Sequence, residues 1–283
     1  MMRTVFSMKH KQFAAAVVDM CRPLSWLAIL SSVAFAAPRS GLAAPSEEKS
    51  EADPKALKAL ARSTAYLRGL PAFSVQAYVT RDEVIYSGYK LERSSNVRMS
   101  VRRPDRLRAE VSGDQGARLF VYDGKYLSVF LKDENYFGSI LAPATLLGTL
   151  ESIERHGIEL PLLDLVYIAM GGQLEPNITD AGLIGVSNVD GVSCLQLAFR
   201  GHAVDWQLWI EQGDKPLLRK LVITTTDDPA RPQYSAVFHW DLTTPIVETD
   251  FAFAPPKNVS RLTFGSGERR SAELSPPADR ATP

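Results

Sequence analysis

The chain has 283 residues, 45% hydrophobic and 23% charged, with 32 basic side chains against 32 acidic. That is ordinary globular composition, which excludes collagen-like, coiled-coil and wholly disordered chains. Four of the basic residues (Arg3, Lys9, Lys11, Arg22) and one acid (Asp19) fall in the first 36, leaving 28 basic against 31 acidic; no basic stripe exists to release counterions, so no nucleic-acid partner is expected.

The first element is a leader. Leu24 to Ala37 runs for fourteen residues without a charge. A bilayer span needs about 20 apolar residues, so the run fits a signal-peptide core and not an anchor. Ala34-Phe35-Ala36 offers the small residues of a cleavage site. Residues 1–36 are therefore expected to be a signal peptide, with Ala44 as the second choice of cut and Met8 as an alternative start. Val18-Asp19-Met20 before Cys21 argues against lipidation there. The mature chain would have no transmembrane anchor and a single cysteine, Cys194, hence no internal disulfide. Cys194 alternates with Gln196, Ala198 and Arg200 and reads as a small inert strand residue.

Residues 37–52 are rich in Ala, Pro, Ser and Glu and read as a flexible linker. Asp53-Pro54 is an N-cap followed by proline at the first helical position. Leu57, Leu60, Ala61, Thr64 and Leu67 recur at helical spacing before Gly69, which predicts one amphipathic helix of about four turns. Period-two segments follow: Phe73–Val79, Ile85–Leu91, Val97–Val101 and Leu107–Val111. They predict antiparallel strands with one wet face. Asp123-Gly124 between 118–122 and 125–131 is a hairpin signal.

The pattern then turns helical twice. Pro143 opens a stretch with Leu146, Leu147, Leu150 and Ile153, closed by His156-Gly157. Pro161 opens 162–170, apolar nearly all round and closed by Gly171-Gly172. Strands return at 182–189 and 192–199 around Asp190-Gly191, then at 205–211, 217–226 and 234–242. Residues 251–256 read as a short strand or extended arm, and 265–283 as a disordered tail. No βαβ alternation occurs, so the fold class is α+β. Accumulated twist should curl so long a sheet into a half-open barrel, with the helices as a lid on its concave face. Residues 53–264 form one such domain in this reading.

Arg102-Arg103-Pro104-Asp105-Arg106-Leu107-Arg108, followed by Val121-Tyr122-Asp123-Gly124-Lys125-Tyr126-Leu127, resembles the core of LolA/LolB-type lipoprotein carriers. Leu208-Trp209-Ile210-Glu211 with Pro216 to Leu221 is similar to their late strand pair, and Phe251-Ala-Phe253-Ala-Pro-Pro256 to their closing segment. More closely, the chain over about 54–262 resembles a family of predicted bacterial periplasmic proteins assigned to that fold. The resemblance implies about 11 strands, a helical lid and a hydrophobic cavity that holds acyl chains in the carriers.

Chemistry finds little support. His156, His202 and His239 lie far apart in sequence and lack metal-site spacing. Gly191-Val-Ser193 lacks the last glycine of a nucleophile elbow. Asp133-Glu134 and Asp227-Asp228 read as solvated loop acids. No catalytic residue, metal or cofactor is expected, and the protein is read as a non-enzyme. The arginines 98, 102, 103, 106 and 108 are read as the wet face of two strands, with contact to an anionic head group as the sharper alternative. The apolar faces are the better candidates for function. Leu146, Leu147, Leu150, Leu165, Leu197, Phe199, Leu208, Phe238 and Trp240 are the expected cavity lining. The function expected is periplasmic binding or carriage of an apolar ligand, a lipid or a lipoprotein acyl chain. The alternative is an envelope module that binds a protein partner or senses stress and carries no cargo.

Overall fold

A computed structural model describes residues 52–153, 158–172 and 178–262. The expected signal peptide, most of the linker, the tail and His156 lie outside the described residues. Helix α1 is Pro54–Gly69, followed by strands β1 (Ala72–Val84), β2 (Lys90–Arg102), β3 (Arg106–Gly113), β4 (Gly116–Tyr122), β5 (Tyr126–Leu131) and β6 (Tyr136–Leu141). Two short helices follow, α2 (Leu146–Ile153) and α3 (Leu163–Ala169). The second strand series is β7 (Asp180–Val189), β8 (Val192–Arg200), β9 (Val204–Glu211), β10 (Leu218–Thr225) and β11 (Gln233–Asp241), with a two-residue β12 (Ser260–Arg261) at the end.

These strands form one open 12-stranded sheet in the order β12-β6-β5-β4-β3-β2-β1-β11-β10-β9-β8-β7. The successive hairpin partners from β2 to β6 and from β7 to β11 run antiparallel, and β12 joins β6 in parallel. This is the α+β class, dominated by a large antiparallel sheet, that the alternation predicts. By compactness the chain forms two units. Among the described residues the first holds those up to Tyr66, Thr80–Glu92 and those from 178 to Val237, and the second Leu67–Val79, those between Arg93 and Gly172, and those from Phe238 on.

Local chemistry explains the element ends. Asp53 Oδ1 accepts the Lys55 amide at 2.8 Å and caps α1. The Asp190-Gly191 turn has φ of 49° and 83°, the left-handed pair that joins two right-twisted strands in two residues. At the other hairpin Asp123 Oδ1 takes the amides of Lys125 and Tyr126 at 2.9 and 2.7 Å. Helices α2 and α3 have 8 and 7 residues, below the length at which a helix stands alone in water. Packing holds them: Leu146, Leu150, Ile153, Leu165 and Val166 are buried. Gly171, at φ 98°, ends α3 by letting the Gly172 amide reach the Tyr167 carbonyl at 2.9 Å.

One expectation needs correction, and one strand lies outside the sequence reading. Residues 85–91 are not a strand of their own: Tyr86–Gly88 is a 3-10 turn, and Lys90 already opens the long β2. The alternation there has no buried face, since Tyr86, Tyr89 and Leu91 are all exposed. Strand β6 was not expected, because Gly138 interrupts its apolar pattern at a buried position. Of the two forms expected for 251–256 the structure shows the arm, with Glu248–Phe251 in a 3-10 turn, and a two-residue strand follows later, at β12.

Asp53→Ala removes the α1 cap and the carboxylate that also accepts the Leu183 amide at 3.3 Å. It is expected to lower unfolding free energy by about 1 kcal/mol, read as a shifted urea midpoint at unchanged slope.

Candidate functional site

In the first unit, strand register gathers one apolar face. Phe199 stands opposite Ala181 and Trp206, Leu197 opposite Leu183 and Leu208, and Leu195 opposite Ile210. Leu208 and Trp206 in turn face Leu221 and Ile223. Helix α1 lies on this face through small side chains: Ala56 is wholly buried in the cluster of Ala181, Leu197, Phe199, Leu208 and Ile210, with Ala59 and Leu60 packed beside it. Its start is pinned there by the Asp53 amide donating to the Ala181 carbonyl at 2.8 Å. Arg62 reaches the Gly213 carbonyl.

One α-helix with alanines at the contact covers only part of a four-strand face. Leu183, Leu195, Trp206, Leu218 and Leu221 remain half-buried around the covered centre. Trp206 stacks on Phe199, ring centroids 5.0 Å apart and planes at 27°. Its indole Nε1 is buried and finds no acceptor among the described residues. A buried donor left unpaired costs about 1–3 kcal/mol.

The other side of the same strands is a small closed cluster. Cys194, Val189 and Trp209 are buried there with Val192, Val222 and Val237. Lys220 sits over the Trp209 ring at 4.9 Å, and Arg219 pairs with Glu211 at 2.6 Å. Burial pushes the Cys194 thiol up, which disfavours the reactive thiolate.

In the second unit Leu146, Leu150, Leu165 and Phe238 are buried, whereas Leu147 and Trp240 keep partial exposure. Trp240 packs on Phe73 at 5.4 Å and on Phe238 at 6.4 Å. The approach to α2 is tied to the sheet by Tyr122, whose hydroxyl donates to the Pro143 carbonyl, and by the Leu146 amide on the Pro104 carbonyl at 2.9 Å. Of the nine residues expected to line a cavity, the structure thus gathers Leu197, Phe199 and Leu208 in one cluster of the first unit. The remaining six lie in the second. Seven of the nine are covered by protein.

Four of the five arginines of the run are engaged within the protein. Arg103 donates to the Arg68 carbonyl at 2.7 Å and to the Ala169 carbonyl at 2.6 Å. Arg68 adds bonds to the Ile168 carbonyl at 3.3 Å and to the Gly172 carbonyl. Two guanidinium groups thus satisfy the orphan carbonyls at the end of α3, where a cation also suits the helix dipole. Arg102 and Arg106 both engage Glu248, Arg106 at 2.7 Å, and Arg102 lies over the Phe251 ring at 5.3 Å. Arg108 takes Glu110 at 2.6 Å, the residue that stands opposite Arg98 in register. Arg102 and Arg106 thus form a clamp on the chain's own C-terminal arm. Sequence reading missed it because Glu248 lies 142 or more residues beyond its partners.

Two of the loop acids hold turns, and Ser193 bonds a neighbouring side chain. Asp133 accepts the Ala117 amide at 3.0 Å and Asp228 the Ala230 amide at 3.0 Å, as turn acids do. Ser193 donates to Gln212 at 2.8 Å. Among the described residues no three His, Cys, Asp or Glu side chains are grouped to hold a metal. None of the described helices is long and apolar enough to cross a membrane.

With this geometry in place, the chain belongs to a protein family: the model of the predicted periplasmic proteins designated DUF2092 matches residues 56–265. Among solved structures it is similar to lipoprotein LppX of Mycobacterium tuberculosis, at 17% identity and TM-score 0.42 over 69% of this chain and all of that one. It is similar to LprF of Mycobacterium bovis at 15% and 0.40, over 69% of this chain and 97% of that one. A LolA superfamily protein of Nitrosomonas europaea matches at 10% and 0.28, over 70% and 97%. No curated protein sequence matches.

Two carboxylates give opposite pH signatures. Asp164 stands half-buried on the otherwise apolar α3, and burial pushes its carboxyl up to about 6. A raised carboxyl stabilises the fold at low pH and loses that contribution as pH rises through the folded value. Asp164→Asn is therefore expected to stabilise the protein by roughly 2 kcal/mol at pH 8, with the gap closing below pH 4, in urea unfolding across pH. Glu248 is held below the usual carboxylate range by hydrogen bonds from Arg102 and then Arg106. Its contribution is present above the ordinary glutamate value and is lost as pH falls through the lowered one. Glu248→Gln should lower Tm at neutral pH and match the parent in acid.

Proposed function

We propose that this is an exported periplasmic protein that binds and carries an apolar ligand, a lipid or acyl chain, on the partly covered face of its first unit, and performs no covalent chemistry. The leader at 24–37 supports export. The family description supports the compartment, and the LolA/LolB-like motifs support carriage. The observation that carries the reading is the incomplete cover: Leu183, Leu195, Trp206, Leu218 and Leu221 stay half-buried around Leu197, Phe199 and Leu208. An acyl chain laid along them completes the burial at about 25 cal/mol per Å² of apolar surface. The side chains on this face offer hydrocarbon and rings, which bind without reacting.

The test is to export the full chain through its own leader, purify it gently and identify non-covalent cargo by native mass spectrometry and lipid extraction. The parent protein is expected to carry an acyl lipid. Leu195→Asp, which places a charge at a half-buried position, is expected to keep cooperative unfolding and come out empty. A parent protein with no apolar cargo, in which added fatty-acyl probes also fail to bind, would overturn the reading. Recovery of a membrane-protein partner in its place would favour the docking alternative, for which exposed Tyr86, Tyr89 and Leu91 at the β1–β2 turn are the available surface.

A further inference from the structure

Strand β7 is the last strand of the sheet and pairs along one side, with β8. Backbone groups of an antiparallel strand point alternately toward the partner and away from it, and the bonds at the two ends of β7 fix which residues do which. At its start the Ala181 carbonyl accepts the Asp53 amide at 2.8 Å, and the Leu183 amide donates to Asp53 Oδ2 at 3.3 Å, so both residues face outward. At its end Val189 and Val192 flank the two-residue turn and face each other. Asn188 and Val186 therefore face outward. The Ser193 carbonyl, opposite Asn188, accordingly turns away to the Gln212 amide at 3.0 Å. A bulge between Leu183 and Gly185 reconciles the two ends.

Asp53 thus occupies the first half of this edge and leaves the second half open. Among the described residues the amides and carbonyls of Val186 and Asn188 have no partner. The side chains there suit a strand: Ile184 and Val186 are 61% and 66% exposed, and both are β-branched, the type that packs well across strands. Native edges are commonly blunted by lysine or proline, and β7 contains neither.

Charge selects the partner. The open stretch is flanked by acids, Asp53 at the Leu183 amide and Asp190 in the turn. A second copy paired antiparallel, Val186 against Val186, would bring its Asp190 toward Asp53, acid against acid, which is destabilising. A strand with a cation at each end meets the same acids with opposite sign. We propose that the open half of the β7 edge takes up an extended peptide as an added strand, β-branched at its centre and basic at its ends. In such strand addition main-chain bonds supply affinity and the side chains supply specificity. The site uses the rim of the sheet, so it stands whatever the apolar face of the first unit holds.

The probe is a capped heptapeptide, Val-Thr-Val-Thr-Val between two lysines, titrated into the exported protein beside a version flanked by glutamates. Fluorescence anisotropy reads affinity, and assigned nitrogen–proton spectra read amide exchange. At saturation with the lysine-flanked peptide, exchange at Val186 and Asn188 should slow by about tenfold or more, the equivalent of one net hydrogen bond. Val186→Pro removes an amide that β8 does not use and should weaken binding by about tenfold, whereas Val186→Thr should stay within about threefold of the parent. The glutamate-flanked peptide should bind at least about threefold more weakly. Failure of the lysine-flanked peptide to bind, or binding that leaves both amides exchanging freely, would overturn the proposal. Equal or tighter binding of the glutamate-flanked peptide would overturn the basic ends. A protein that sediments as a dimer, with both amides protected before any peptide is added, would put a second copy on this edge and overturn the peptide assignment. Amide exchange in the parent decides the matter even if Val186→Pro folds poorly.

Discussion

Alternation with a period of two leaves a strand with one greasy side, and that side has to be taken from water. Every other feature of the first unit answers to this constraint. Strands β7 to β10 align their apolar residues across three registers, and a helix with alanines at 56 and 59 is laid against the result. Small side chains let the helix approach closely, and Asp53 fixes where it begins. A single helix about 10 Å across nevertheless covers fewer strands than the face contains. The half-buried leucines are what the cover leaves over. A second apolar object laid beside the helix would complete the burial.

Charge is used inward in the second unit. The arginine-rich pair β2–β3 resembles an anion-binding surface in sequence, yet Arg102, Arg103, Arg106 and Arg108 are committed to Glu248, Glu110 and a carbonyl at the end of α3. Arginine suits this use because its planar fork can reach two acceptors at once. Helix α3 is too short to persist by itself, so the carbonyl bonds of Arg68 and Arg103 contribute to the burial of Leu165 and Val166. Asp164 works against that burial when ionised. The helix is therefore held by opposing effects whose balance depends on protonation.

Much of the fold was legible because local chemistry decided it. The Asp53-Pro54 cap, the Asp-Gly turns and the paired glycines after α3 each act within a few residues, and the strands between them follow from alternation. Residues 85–91 misled because alternating polarity there reflects an exposed turn carrying tyrosines. Strand β6 escaped notice because a glycine supplies its buried position. The arginine clamp was illegible for a different reason: its partners are far apart in the chain, and only the fold brings them together. Trp206 illustrates the same limit, since its ring was visible as part of an apolar strand while its unpaired nitrogen exists only once the neighbours are in place.

The central claim is that the sheet of the first unit binds ligand by burying hydrocarbon along a row of leucines. It is tested most directly by calorimetry with a series of methyl esters of increasing acyl length. Row-wise burial predicts that each added methylene strengthens binding by up to about 0.8 kcal/mol, with a heat-capacity change that grows more negative along the series. Affinity and heat capacity independent of chain length would contradict it.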